Sequence, residues 1–117
     1  MKLGPNLTVM SVTITNGTAV AAAIDTLGFP LVGILMPASW TTANLSYRAA
    51  PDLAANVADV YDDSGTEVVT TAAASRFIAI SPSKLAGVRW LVVRSGTTGT
   101  PVNQGADRIL GLVIREV

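Results

Sequence analysis

The chain has 117 residues, eight of them basic and eight acidic, with no histidine and no cysteine. That length holds one domain, and the missing residue types exclude disulfides, thiolate metal sites, thiol nucleophiles and the usual proton shuttle. A net charge of zero, with the cations scattered among carboxylates, excludes the clustered Lys and Arg that a nucleic-acid surface needs.

Met1 to Leu7 carries a charge and a Gly-Pro pair but no apolar stretch of a targeting signal, and reads as an extended N-terminal arm. Residues 8–117 form the domain. Residues 8–15 alternate, with Met10, Val12 and Ile14 on one side, and Asn16-Gly17 closes the strand as a turn. Residues 20–27 are alanine-rich, yet their place between two turn signals favours a strand over a helix. The run Ala19-Val20-Ala21-Ala22-Ala23-Ile24 stops at Asp25, far short of the ~20 residues that span a bilayer, so no membrane partner is expected.

Residues 31–36 make a strand closed by Pro37. Residues 44–49 make another, with Leu45 and Tyr47 inward. Residues 51–56 form a loop with room for one helical turn. Asp62-Asp63-Ser64-Gly65 reads as a hairpin loop between strands at 57–61 and 66–71, with Gly65 in the left-handed conformation. Residues 76–80 are a strand, residues 81–87 a tight connection from Pro82 to Gly87, and residues 88–94 and 107–116 the last two strands. Eight or so short strands without a long helix predict a single-domain, all-β antiparallel sandwich, jelly-roll-like in its strand count.

Three of these strands lack the polar beat of a strand with one wet face: residues 31–36, 88–93 and 109–114. Only 14% of the chain is charged, against ~25% for an average soluble domain. Strands dry on both faces need a cover from outside the sandwich, either another subunit or a loop such as residues 95–106. With Val88, Trp90 and Val92 facing the core, Leu91 and Val93 would face outward, joined by Ile109 and Val113 from the last strand. Those four are the expected oligomer interface.

The catalytic inventory is thin. Ser81-Pro82-Ser83-Lys84 matches the Ser-x-x-Lys spacing, but the helical domain and the Lys-Thr-Gly strand that accompany that motif are missing, so a proline turn is the better reading and no enzyme is expected. Asp59, Asp62, Asp63 and Glu67 are the one acidic cluster. Asp62 and Asp63 offer two oxygens to a hard cation, yet Asp-Asp-Ser-Gly is also ordinary turn chemistry. No cofactor is expected. Among the aromatic residues Trp40, in a loop after Pro37-Ala38-Ser39, is the free candidate for a ligand platform, with Asp62 and Asp63 beside it as a possible ligand loop.

The segments Leu31 to Trp40, Val60 to Gly65, Ala86 to Arg94 and Thr97 to Gln104 resemble small proteins encoded in the virion-structure regions of tailed bacteriophages and prophages. The resemblance runs over most of the chain from about Val9. It implies a non-enzymatic virion protein similar to capsid decoration or cement proteins and head-spike bases. Its expected partners are copies of itself, a trimer above all, and the major capsid protein or another virion protein. It would be made in the host cytoplasm and located in the virion. The alternative is a carbohydrate- or receptor-binding β-sandwich module.

Overall fold

The alternating stretch near the N-terminus forms strand β1 (Leu7–Ile14) and turns Val12 and Ile14 into the core. The computed structural model describes residues 6–116. Within them follow β2 (Ile24–Asp25), β3 (Leu31–Leu35), β4 (Leu45–Ala50), β5 (Ala58–Asp59), β6 (Val69–Thr70), β7 (Phe77–Ala79), β8 (Trp90–Ser95) and β9 (Arg108–Arg115). A single 3-10 turn, Ala54–Asn56, sits in the loop where one helical turn is expected. No helix among the described residues is long and apolar enough to cross a membrane.

The strands make two antiparallel sheets, β1-β9-β3-β7 and β2-β8-β4-β5, with β6 also paired to β4. Successive strands alternate between the sheets except for β4, β5 and β6, which stay together. That is a jelly-roll order. The all-β sandwich expected from the sequence is the fold. The count is nine strands among the described residues because the edge beside β4 is broken: β5 opposes Arg48–Ala49 and β6 opposes Leu45–Ser46. Between β5 and β6 the chain leaves the sheet as a short hairpin, held by Val68 N–H to Val60 O (3.0 Å) and Asp62 N–H to Thr66 O (2.8 Å).

Residues 20–27 pair less than expected, with only Ile24 and Asp25 forming a strand against β8. The glycine-rich segment after β8 is pinned to the end of the sandwich by Gln104. Gln104 is buried, donates to Thr41 O (3.0 Å) and Ser95 Oγ (2.7 Å), and accepts from Thr41 N–H (2.8 Å). Residues 1–5, most of the expected arm, lie outside the described residues. Leu7 already belongs to β1.

The core lies between the sheets. Leu110, Leu112 and Ile114 of β9 meet Leu45 and Tyr47 of β4 there, with Ile34 of β3 and Leu91 and Val93 of β8. Tyr47 carries the one large polar group of this layer, a phenol that shares a 2.6 Å hydrogen bond with the Thr70 hydroxyl. Burial pushes its pKa up to about 12. A raised folded-state pKa gives stability that is complete below the free tyrosine value near ~10 and is lost as pH rises through the folded one. The expected loss is about 3 kcal/mol between pH ~10 and ~12. Urea midpoints over that range test it: the wild type should fall more steeply than Tyr47→Phe, and parallel curves would refute the assignment.

Candidate functional site

Side chains alternate along a strand, so the register decides what each sheet shows to the outside. In the four-stranded sheet, Leu110 and Leu112 face inward with their partners Val12, Met10 and Ile34. The outward set is therefore Ile109, Gly111 and Val113 on β9, Val9 beside Val113, Leu35 beside Gly111, and Phe77 beside Leu35, with the exposed Ser11 and Thr13 of β1 forming a polar edge opposite Gly111 and Ile109. Leu35, Phe77 and Ile109 are 55%, 57% and 61% exposed. Two glycines let these side chains lie flat against the backbone. A methyl group on Gly33 would collide with the Phe77 ring, and one on Gly111 would touch Val9 and Leu35 at 3.4 Å. Among the described residues of these strands, Arg115 is the one charged residue on this outward face.

The other sheet is built the opposite way. Ser46, Arg48, Val92 and Arg94 point outward from β4 and β8, and Asp59 of β5 joins them opposite Arg48. The Arg94 side chain is only 7% exposed. Its guanidinium donates to Asp59 Oδ1 (2.8 Å), Glu67 Oε2 (3.0 Å), Thr98 Oγ1 (2.8 Å) and Ser46 Oγ (2.8 Å). Glu67 Oε2 also accepts from the Thr98 hydroxyl (2.7 Å) and N–H (3.0 Å). The Arg94 hydrogen bond holds the Asp59 carboxyl below the usual carboxylate range. Part of this face is thus covered by the chain's own 60–68 hairpin and the loop after β8.

Here the expected interface needs correction. Leu91 and Val93 are 1% exposed and belong to the inter-sheet core, where Val93 pairs with Tyr47. An indole at Trp90 suggests a core-facing phase for β8, but a strand apolar on both sides carries no phase of its own. Arg94 shares a face with Trp90 and Val92, and a charge marks the outward side more reliably than an indole does. Trp90 stays half-buried with its Nε1–H on Asp52 O (3.0 Å) and Arg89 over its ring. Ile109 and Val113 do lie on an outward face, though Val113 is only 8% exposed under its neighbours.

The residues expected to form a ligand loop separate. Trp40 packs against the core and donates its Nε1–H to Ala43 O (3.0 Å), which makes it a plug at the end of the sandwich. Asp62 and Asp63 lie at the tip of the 60–68 hairpin, where Asp62 Oδ1 accepts from the Ser64 and Thr66 N–H groups (2.9 Å each) and Gly65 has φ +81. Asp59 and Glu67 turn back to Arg94, so the acidic cluster is divided. No group of three or more metal-ligating side chains gathers among the described residues.

What the hairpin does form, with the turn at 81–84, is a cleft of about 670 Å³ lined by Tyr61, Asp62, Asp63, Val69, Ser83 and Lys84. Ser81 and Ser83 share a 3.1 Å hydrogen bond, and Lys84 N–H reaches Ser81 O (3.1 Å). Tyr61 and Lys84 were not singled out as ligand residues in the sequence. An aromatic residue abutting the Asp62-Asp63 turn was the available signal for the first, whereas Lys84 arrives through a loop contact.

The chain matches no protein-family model, no curated protein and no solved structure. Its surface chemistry therefore carries the functional reading: an apolar sheet face on one side of the sandwich, and a polar cleft beside the charged face on the other.

Proposed function

We propose that this is a non-enzymatic structural protein of a tailed-phage virion that decorates or cements the capsid as a homo-oligomer, with a trimer as the working stoichiometry. The phage setting rests on the sequence resemblance. Assembly rests on one observation: across β9, β3 and β7 the four-stranded sheet carries an apolar patch on its outward face as well as its inward one, with Leu35, Phe77 and Ile109 each more than half exposed and Ser11 and Thr13 of β1 at its polar edge. A contiguous patch of this kind is a frequent mark of an interaction surface.

A second copy of this chain is the occupant that fits. The four strands hold 24 residues between them, which at ~4.8 Å between strands and ~3.4 Å per residue cover about 400 Å². Two such faces approach the ~1,000 Å² at which specific interfaces begin. The near absence of charge on the patch removes the repulsion that would oppose pairing of like surfaces.

Light scattering after size exclusion, at two protein concentrations, tests the reading. The expected mass is a fixed multiple of the 12.0 kDa of one chain, threefold for a ring in which the patch meets a different surface of its neighbour and twofold for direct pairing of the two faces. It should fall to that of one chain in Phe77→Asp and Ile109→Asp, which are surface changes and keep the fold. A wild-type monomer at both concentrations, or an oligomer that both variants leave intact, would overturn it. Leu91→Asp is no test of the interface, because it places a carboxylate in the core and is expected to unfold the chain.

A further inference from the structure

We infer that the cleft between the 60–68 hairpin and the turn at 81–84 is a binding site for a neutral saccharide, separate from the assembly face and sharing no residue with it. Its volume of about 670 Å³ lies inside the range of small-molecule sites. Its walls hold three polar groups that the protein leaves unengaged among the described residues. These are the Tyr61 hydroxyl, the Asp63 carboxylate and the Lys84 ammonium, and Asp62 keeps its second carboxylate oxygen free as well.

The combination narrows the ligand class. A half-exposed tyrosine ring offers a flat face to the C–H side of a pyranose, and Val69 continues that apolar wall. Asp62 and Asp63 accept hydrogen bonds and Lys84 donates them, so the site pairs with a ligand whose hydroxyls do both. Glu67 also lines the cleft, but its charge is answered by Arg94 at 3.0 Å. The remaining two carboxylates against one ammonium repel phosphates and other anions. A hard cation is a poor fit, since Asp62 Oδ1 already accepts from two backbone N–H groups and Asp59 and Glu67 are engaged by Arg94, which leaves too few carboxylate oxygens in the cleft to fill a coordination shell.

The cleft also has a firm frame. The Tyr61–Glu67 bridge closes the hairpin, and the Arg94 network anchors Glu67 to β8 and to Thr98. The backbone at Tyr61 and the Asp62 carboxylate are therefore held in place before any ligand arrives, which lowers the ordering cost of binding.

The test is an NMR titration of the 15N-labelled full chain with neutral hexose and N-acetylhexosamine di- and trisaccharides, repeated in high salt and with a lysine-rich peptide as a cationic probe. At least one saccharide should give saturable shifts confined to residues 60–69 and 81–85 and insensitive to salt. Tyr61→Ala should weaken that binding about tenfold and Tyr61→Phe by no more than about threefold, because the ring is kept. Lys84→Ala and Asp63→Asn should each weaken it by about fivefold. All three positions are exposed, and dispersion of the spectra reports that each of the four variants is folded. The absence of saturable shifts with any saccharide, binding that survives Tyr61→Ala unchanged, or salt-sensitive shifts with the peptide alone would overturn the inference. None of these outcomes bears on oligomer mass, so failure here and failure of the assembly reading are distinguishable.

Discussion

Arg94→Met is expected to destabilise the fold by about 3–5 kcal/mol, the range for removing one partner of a buried charge network. The guanidinium ties two carboxylates, two hydroxyls and four stretches of chain together: β4 at Ser46, β5 at Asp59, the hairpin at Glu67, and the loop after β8 at Thr98. Methionine fills a similar volume but leaves Asp59 and the largely covered Glu67 without their shared cation. Against a total stability of about 5–15 kcal/mol for a domain, the loss is large. Lysine is no substitute, because one ammonium cannot reproduce the planar fork that reaches four acceptors.

The same network sets an acid dependence. Asp59 is held below the usual carboxylate range chiefly by its hydrogen bond from Arg94. A depressed folded-state pKa gives stability that is present above the unfolded value and disappears as pH falls through the folded one. Urea midpoints from pH 6 down to about 2 should drop for the wild type and drop less for Arg94→Met. A variant with wild-type midpoints at neutral pH would refute the role assigned to Arg94.

Gly96→Ala is expected to cost about 3 kcal/mol or more, and its cause is backbone. Gly96 has φ +91, where an L side chain pays ~1–2 kcal/mol. A methyl group there would also lie 2.7 Å from Val102 N and collide with Thr100 O. Neither neighbour is a side chain that can swing away. Gly96 further receives the Ser46 hydroxyl on its carbonyl (2.7 Å) and donates its N–H to Asn44 O (2.7 Å), so the end of β8 cannot shift to relieve the contact. Thermal melts should show the variant roughly 12 °C below the wild type, at about 4 °C per kcal/mol for a chain of this size. Gly99→Ala is the control: nothing lies within 4 Å of the added carbon, and its melting point should not move. Equal melting points for Gly96→Ala and the wild type would show that this turn is not held as described.

Much of the fold is legible because its signals are local. The alternation of residues 8–15 gives β1 and its inward set, and Leu45 and Tyr47 give the phase of β4. Gly65 at positive φ follows from the Asp-Asp-Ser-Gly turn. The dryness of residues 31–36 and 109–114 on both sides corresponds to one sheet, because β3 and β9 are hydrogen-bonded neighbours. What failed was phase and cover. Nothing in an apolar run such as Trp90-Leu91-Val92-Val93 says which side is in, and the deciding residue, Arg94, stands at its end. Cover depends on where a hairpin from another part of the chain comes to rest, and that is set by packing between segments distant in sequence. For the same reason Trp40 and the Asp62-Asp63 turn, joined on chemical grounds, end apart, while Tyr61 and Lys84 come together.

The strand order also fixes when this protein can fold during its synthesis. The two strands made last, β8 and β9, are interior members of their sheets: β9 lies between β1 and β3, and β8 between β2 and β4. Before they emerge from the ribosome, β1 and β3 have no neighbour in common, and neither sheet can close. The nascent chain thus carries β1 and β2 without a sheet neighbour, and β3 and β4 with one edge open, through most of translation, the state most exposed to misassembly. Folding then proceeds from contacts between distant segments, the slow class of β topologies, on a millisecond-to-second scale. Production of this chain should accordingly gain from slower synthesis, lower temperature or a chaperone that shields strands until residue 115 is out.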